Sequence, residues 1–249
     1  MRELKQLKTK KGRNETGLFL VEGEKFVAEI PDIWQVRRYV IAERFAESRD
    51  LSLYKTRAPV ETVRDSLFDS LADTVTPQGI IAVCEQKHWE LSQLMTPGGF
   101  ILIGERLNDP GNIGALIRTA AAAGAGGMVL SADSGEIYNP KVLRAAAGAA
   151  LRLPIVTGAA LPETIGELKQ AGYAVYAAHH RGDTLPYALD LRGNFCWLVG
   201  SESHGLTAEA AAMADAWVRL PMADDVESLN ASVAGSVLLY EAVRQRVWE

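Results

Sequence analysis

Asn112 and Arg118, six positions apart in the stretch NDPGNIGALIRTAAAAG, are a pair whose side chains can do chemistry. Six residues span about one and two-thirds turns, so the two leave different faces of one helix near its N-terminal half. The NDPGN loop ends where that helix begins, and the free N–H groups of a helix start suit an anion such as a nucleic-acid phosphate. No P-loop and no G-x-G-x-x-G fingerprint is present. Read alone, Arg118 is a surface arginine snorkelling from an alanine-rich helix. Glu202, in LVGSESHGL, is by itself a solvated loop carboxylate. In ESLNAS, Ser228 reads as the N-cap of a last helix, while Asn230, a poor helix former in a first turn, hints at another task. His179 and His180 follow the strand-like YAVYAA, where neighbours point to opposite sides, which argues against a shared metal or base role.

The elements that must carry these residues are strands alternating with helices. FILIG (Phe100 to Gly104), Met128 to Ser131, PIV, YAVYAA and Phe195 to Val199 are short apolar runs. Between them lie helical stretches at Ile113 to Ala123, at Lys141 to Ala150 behind Asn139-Pro140, and at PETIGELKQAG. Trp217 to Leu220 is a further strand, stopped by Pro221. Leu229, Val233, Val237, Leu238, Tyr240 and Val243 then fall on one side of a final helix whose first turns are crowded with small residues. The pattern predicts an α/β domain with a parallel sheet.

Upstream, Leu18 to Val21, Val36 to Ile41 and Ile80 to Cys84 read as strands, with helices at EGEKFVAEI, AERFAESRD and Pro59 to Ser70. This predicts a second, small α/β domain. His88 to Gly99, ending in TPGG, reads as the linker, which sets the domains at residues 1 to 95 and 96 to 249.

The 249 residues leave room for two modest domains, and no run approaches the roughly 20 apolar residues that span a bilayer. No signal-peptide pattern follows the charged N-terminus, and Cys84 and Cys196 sit in apolar runs without a partner at ligand spacing. The expectation is a cytoplasmic protein with buried, reduced thiols, no membrane and no metal. A net charge of −5 is unlike a nucleic-acid binder. Its distribution differs from its sum: the first 14 residues hold Arg2, Lys5, Lys8, Lys10, Lys11 and Arg13 against Glu3 alone. Such an arm is either a phosphate contact or a solvated helix end.

In this order, NDPGNIGALIRT, LVGSESHGL, WVRLPM and VESLNASVAGSVLLYEAVRQR resemble the motifs of the SpoU family of RNA ribose methyltransferases, in the SPOUT superfamily. VEGEK (Val21 to Lys25) and PQGI (Pro77 to Ile80) are similar to the substrate-binding domain that precedes the methyltransferase domain in many members, itself like a family of RNA-binding ribosomal proteins. The resemblance implies a C-terminal domain knotted as a trefoil that holds S-adenosylmethionine. It implies a homodimer with shared active sites, acting on structured RNA, with ribosomal RNA favoured over transfer RNA. It implies a catalytic set of Asn112, Arg118, Glu202, Ser228 and Asn230, with Arg118 activating a ribose 2′-hydroxyl, and a cofactor pocket at Ala178, Gly200, Gly205, Leu220, Met222 and Leu229. Lys8, Lys10, Lys11 and Arg13 become candidates for gripping RNA. Where the family often has Gly, this chain has Ser203. Two rivals remain: transfer-RNA methylation by the same residues, and a non-catalytic RNA-binding factor, against which the retained set argues.

Overall fold

The computed structural model describes residues 2–201, 203–224 and 228–247, and the chain falls into two compact units. The first unit contains the chain up to Lys87 and, in addition, Glu136–Leu151. It begins with helices α1 (Arg2–Leu7) and α2 (Lys10–Thr16), then β1 (Leu18–Glu22), α3 (Glu24–Ala28), β2 (Val36–Ala42), α4 (Glu43–Ser48) and α5 (Ser52–Arg57). β3 (Val60–Val63), α6 (Asp65–Leu71) and β4 (Ile80–Glu85) complete the run. The four strands form a sheet ordered β1-β4-β2-β3, antiparallel except for the parallel β2–β3 pair. The basic arm is therefore helical, anchored by the buried Leu4 and Leu7.

Pro59 to Ser70, read as one helix, instead opens with β3. Val60 and Val63 are β-branched, and the open edge of β2 pairs with them, so tertiary pairing overrides a short helical pattern. VEGEK and PQGI lie together: Gly23 N donates to Ile80 O at 3.1 Å and Glu24 N to Gln78 Oε1 at 2.7 Å.

The second unit comprises His88–Gly135 and the chain from Arg152 onward. It holds β5 (Phe100–Glu105), α7 (Pro110–Ala122), β6 (Gly127–Ser131), β7 (Ile155–Ala159), α9 (Leu161–Gln170), β8 (Ala174–Ala178), β9 (Phe195–Gly200), α10 (Ala208–Ala212), β10 (Ala216–Val218) and α11 (Ala231–Val247). The missing number, α8 (Pro140–Ala145), belongs to the first unit. All six strands are parallel, in the order β10-β8-β9-β5-β6-β7. Ile101, Ile103, Val129, Val175 and Leu198 pack with Leu161, Ile165 and Leu168 of α9 in one core, and Leu94 joins them. The segment expected to be a linker thus supplies a fully buried side chain to this core.

Glu136–Leu151, read as part of the parallel domain, packs in the first unit for physical reasons that are local. Arg13 there donates to both oxygens of Glu136, from Nε at 2.5 Å and from Nη2 at 2.6 Å. Tyr138 packs against Phe19 with the rings tilted and centroids 4.5 Å apart, and its hydroxyl bonds both backbone groups of Lys87. Burial pushes that phenol up to about 12. Trp34 Nε1 donates to Leu151 O at 2.7 Å. α8 also stops at Ala145, short of the expected Ala150, because Ala147 turns to φ +49°. No helix of the described residues is long and apolar enough to cross a membrane.

Candidate functional site

Parallel α/β sheets bind ligands beyond the C-terminal ends of their strands, where the loops diverge. Here the loops after β8, β9 and β10 and the start of α11 enclose a cavity of about 860 Å³. That is the size range of small-molecule and cofactor sites. Ala178, Gly200, Gly205, Leu220, Met222 and Leu229, all named from the sequence for a cofactor, line it. Leu206 and Leu238 add apolar lining, and Ser201, Ala231 and Ala234 add small side chains. Gly200 is required: a Cβ there would lie 2.3 Å from the Gly205 carbonyl carbon, because the loop doubles back through a bridge between Ser201 and Gly205. Gly205 makes that return at φ +60°. A large apolar wall with exposed backbone suits a nucleoside face, and the few charged groups suit a short polar tail. Among the described residues no group of three or more His, Cys, Asp or Glu can hold a metal ion.

Beside the cavity, α7 and α11 are tied through polar side chains. Asn112 Oδ1 accepts from Asn230 Nδ2 at 3.1 Å and lies 3.0 Å from Ser232 Oγ. Asn230 Oδ1 in turn accepts from the N–H groups of Ser232 and Val233, and its carbonyl accepts from Ala234 N. Asn230 is therefore the N-cap of α11, the role expected of Ser228. Asparagine is among the best N-cap residues, so its poor interior propensity is no sign of another task. Ser228 is exposed and lines the cavity. Further along, Ser236 Oγ donates to Thr119 Oγ1 at 3.0 Å, and a Cβ at Gly235 would meet Leu116 Cδ2 at 2.6 Å. Small residues on α11 thus admit α7 closely. Asp109 caps α7 by accepting from Asn112 N at 2.9 Å, with Pro110 behind it.

Residues 99–240 match the SpoU rRNA Methylase family, and residues 1–82 match the MRM3-like substrate binding domain. The chain belongs to the SpoU family. It is 32% identical, over 96% of its length and 94% of the relative's, to the 23S rRNA (guanosine(2553)-2′-O)-methyltransferase RlmP of Bacillus subtilis strain 168. It is 36% identical, over 75% of its length and 78% of the relative's, to the 23S rRNA (guanosine-2′-O-)-methyltransferase RlmB of Xylella fastidiosa strain Temecula1. A crystal structure of an AdoMet-bound rRNA methyltransferase from Sinorhizobium meliloti superposes with a TM-score of 0.88 at 28% identity, over 99% of this chain and 94% of that one.

Of the SpoU motif residues, Glu202 lies outside the described residues. Arg118 is exposed on α7, forms no hydrogen bond or ion pair with a described residue, and does not line the cavity. Single-chain geometry therefore joins Asn112 with Asn230 and leaves Arg118 apart from the cavity. His179 and His180 do line it, and they do not alternate. β8 ends at Ala178, a turn closes from Gly182 N to His179 O, and the two rings stack 4.7 Å apart with His179 also 4.4 Å from Trp217. Burial, then the neighbouring His180 and Arg181, hold the His179 imidazole below its ordinary value.

The four basic residues proposed for RNA separate. Lys10 and Lys11 are exposed, and Lys11 pairs with Glu15 one turn away. Lys8 is half-buried and donates to Ala72 O at 2.7 Å. Arg13 is only 2% exposed and bound to Glu136 and Leu7 O, so it is a structural residue and no phosphate can reach it. Sequence reasoning also passed over Ser232, whose place beside Asn112 follows from its position just inside the α11 cap, and Glu105, a carboxylate that ends an otherwise apolar strand.

Proposed function

We propose that this chain transfers a methyl group from S-adenosylmethionine to a ribose 2′-hydroxyl of ribosomal RNA. The observation that carries the reading is the meeting of the SpoU loops at one 860 Å³ cavity, beside Asn112 hydrogen-bonded to Asn230. Bound there, S-adenosylmethionine supplies a methyl group activated on a sulfonium. Leu220, Leu229 and Leu206 would cover its nucleoside, and the Gly200–Gly205 loop would let backbone approach it closely. Asn112, held by α11, would orient the polynucleotide. Arg118 would stabilise the negative charge that develops on the ribose oxygen as its proton passes to water or a substrate phosphate and the methyl–sulfur bond gives way to leave a neutral thioether. A permanent planar cation suits that role.

Arg118 reaches this role in a homodimer, where a second copy would bring it to the neighbouring cavity. The support is a stripe of exposed apolar residues on α11: Val233, Val237 and Tyr240 are 48%, 47% and 51% exposed. Three such residues one turn apart are costly to leave in water. The trefoil knot of the superfamily belongs to the same reading. So does a substrate grip by the first unit, with Lys10 and Lys11 on its surface, and a cytoplasmic location beside the ribosome. Ribosomal RNA is preferred to transfer RNA because the Bacillus subtilis and Xylella fastidiosa relatives carry 23S rRNA names.

The test is tritium transfer from labelled S-adenosylmethionine to deproteinised 23S rRNA and to bulk transfer RNA, followed by mapping of the modified ribose. Incorporation into 23S rRNA at one ribose is expected. Label confined to transfer RNA would replace the substrate, and label in neither, with intact cofactor binding, would leave a non-catalytic RNA-binding factor.

A further inference from the structure

The turn between β5 and α7 contains a non-glycine residue in the left-handed region. Arg106 has φ +53°, a conformation that is uncommon for side-chain-bearing residues and persists where its surroundings enforce it. Here its N–H donates to Ser131 Oγ at 2.9 Å, and the next N–H, of Leu107, donates to Ser134 Oγ at 3.2 Å. The turn aims two side chains at the loop after β9. Glu105, 5% exposed, accepts from Thr207 N at 2.7 Å with one carboxylate oxygen and from Thr207 Oγ1 at 2.7 Å with the other. Arg106 Nη2 donates to Gly205 O at 3.2 Å, while its buried Nε has no partner among the described residues.

Two consecutive residues thus hold the return of the cavity loop at Gly205 and its exit at Thr207. Gly200, Ser201, Ser203, His204, Gly205 and Leu206 of this loop line the cavity. Three residues beyond Arg106, Asp109 caps α7 and so sets where Asn112 stands. A buried carboxylate that accepts two bonds from one residue is a rigid attachment, since charge-assisted hydrogen bonds are roughly twice as strong as neutral ones.

We propose that Glu105 and Arg106 are positioning residues for methyl transfer, fixing the Gly205–Thr207 part of the cavity loop against the start of α7. This rests on the methyl-transfer reading and adds a residue-level device to it. Neither side chain lines the cavity. Their effect runs through the loop, where displacement of about 1 Å can cost on the order of 100-fold in rate.

Arg106→Gly separates positioning from folding. Glycine adopts φ +53° freely, so the melting temperature should hold or rise while the guanidinium is lost. The expected result is kcat lower by about tenfold or more and a weaker cofactor titration, with RNA affinity unchanged. Thr207→Val should lower kcat likewise, but with a lower melting temperature, because its hydroxyl also caps α10 by accepting from Ala210 N; Thr207→Ser, which restores the hydroxyl, should recover both. Arg106→Gly and Thr207→Val with normal kcat and normal cofactor affinity would overturn the proposal. So would a loss of rate that tracks a falling melting temperature in every variant. Wild-type chain that transfers no methyl in the same assay fails the function itself, which keeps the two failures apart.

Discussion

The family resemblance made Arg13 and Arg118 both candidate functional cations, and the structure places them in opposite circumstances. Arg13, in the first unit, has a 3% exposed side chain and two bonds to Glu136. Arg118, in the second, is exposed and bonded to no described residue. The pair teaches that a cation free to act on a polynucleotide is one whose donors are still available. Basic composition says nothing about availability; a partner does.

The largest effect expected from breaking this comparison is on stability. Arg13→Ala leaves the Glu136 carboxylate, itself 13% exposed, with its main partner gone. Removing one member of a buried pair typically costs about 3–5 kcal/mol. Urea unfolding should show that loss, while RNA affinity per folded molecule stays at the wild-type level. A drop in RNA affinity without a drop in stability would return Arg13 to the phosphate-binding set.

Arg118→Ala should behave inversely. An exposed side chain bonded to no described residue costs within about 0.5 kcal/mol to remove. Loss of one charge-stabilising donor in a transition state costs about 100-fold or more in rate. Tritium transfer, a melting curve and a cofactor titration on the same preparation measure all three, and near-normal turnover would take Arg118 out of the mechanism. Arg118→Lys should rescue poorly, because it keeps the charge and loses the planar fork.

The contrast also shows which parts of this molecule are legible from sequence. The lining of one cavity was, because the family resemblance named Ala178, Gly200, Gly205, Leu220, Met222 and Leu229 from the order of their motifs along the chain. The parallel sheet was too, since each strand is an apolar run between helices. Arg13 was not, because Glu136 lies 123 residues away and no local pattern connects them. The same long-range pairing drew Glu136–Leu151 into the first unit and escaped a reading that followed chain order. β3 was hidden by its brevity, four residues whose partner is β2. At α11 the error was one of register: the cap sits on Asn230, two residues beyond Ser228.

Asn230 allows a finer test, since it combines the capping and site roles. Asn230→Ala should cost about 1 kcal/mol, the usual loss of an N-cap. Asn230→Asp keeps an acceptor for the Ser232 and Val233 N–H groups and should restore the stability. It cannot donate to Asn112 Oδ1, so methyl transfer should remain low. Full activity in Asn230→Asp would reduce Asn230 to a cap.

The smallest expected effect concerns pH, and it turns on His179. Its ring is half-buried between His180 and Trp217, its Nδ1 accepts from Arg181 N at 3.1 Å, and it lines the cavity. Desolvation leads in depressing its pKa below the ordinary 6.5, followed by the charges of His180 and Arg181. A base whose folded-state pKa is lowered binds fewer protons folded than unfolded. Its stabilising contribution is therefore present above about pH 6.5 and is lost as pH falls toward the folded value. Protonation would also place a charge in the cavity beside a cationic sulfonium and end the bond from Arg181. Cofactor affinity should then fall, by less than about tenfold, between pH 7.5 and pH 5.5. His179→Phe keeps an aromatic ring against Trp217 and removes the titration, so its affinity should be nearly level across that range. Calorimetric titration of both proteins at the two pH values, with His180→Phe alongside, measures the slope. A slope that persists in His179→Phe and vanishes in His180→Phe would assign it to the more exposed ring.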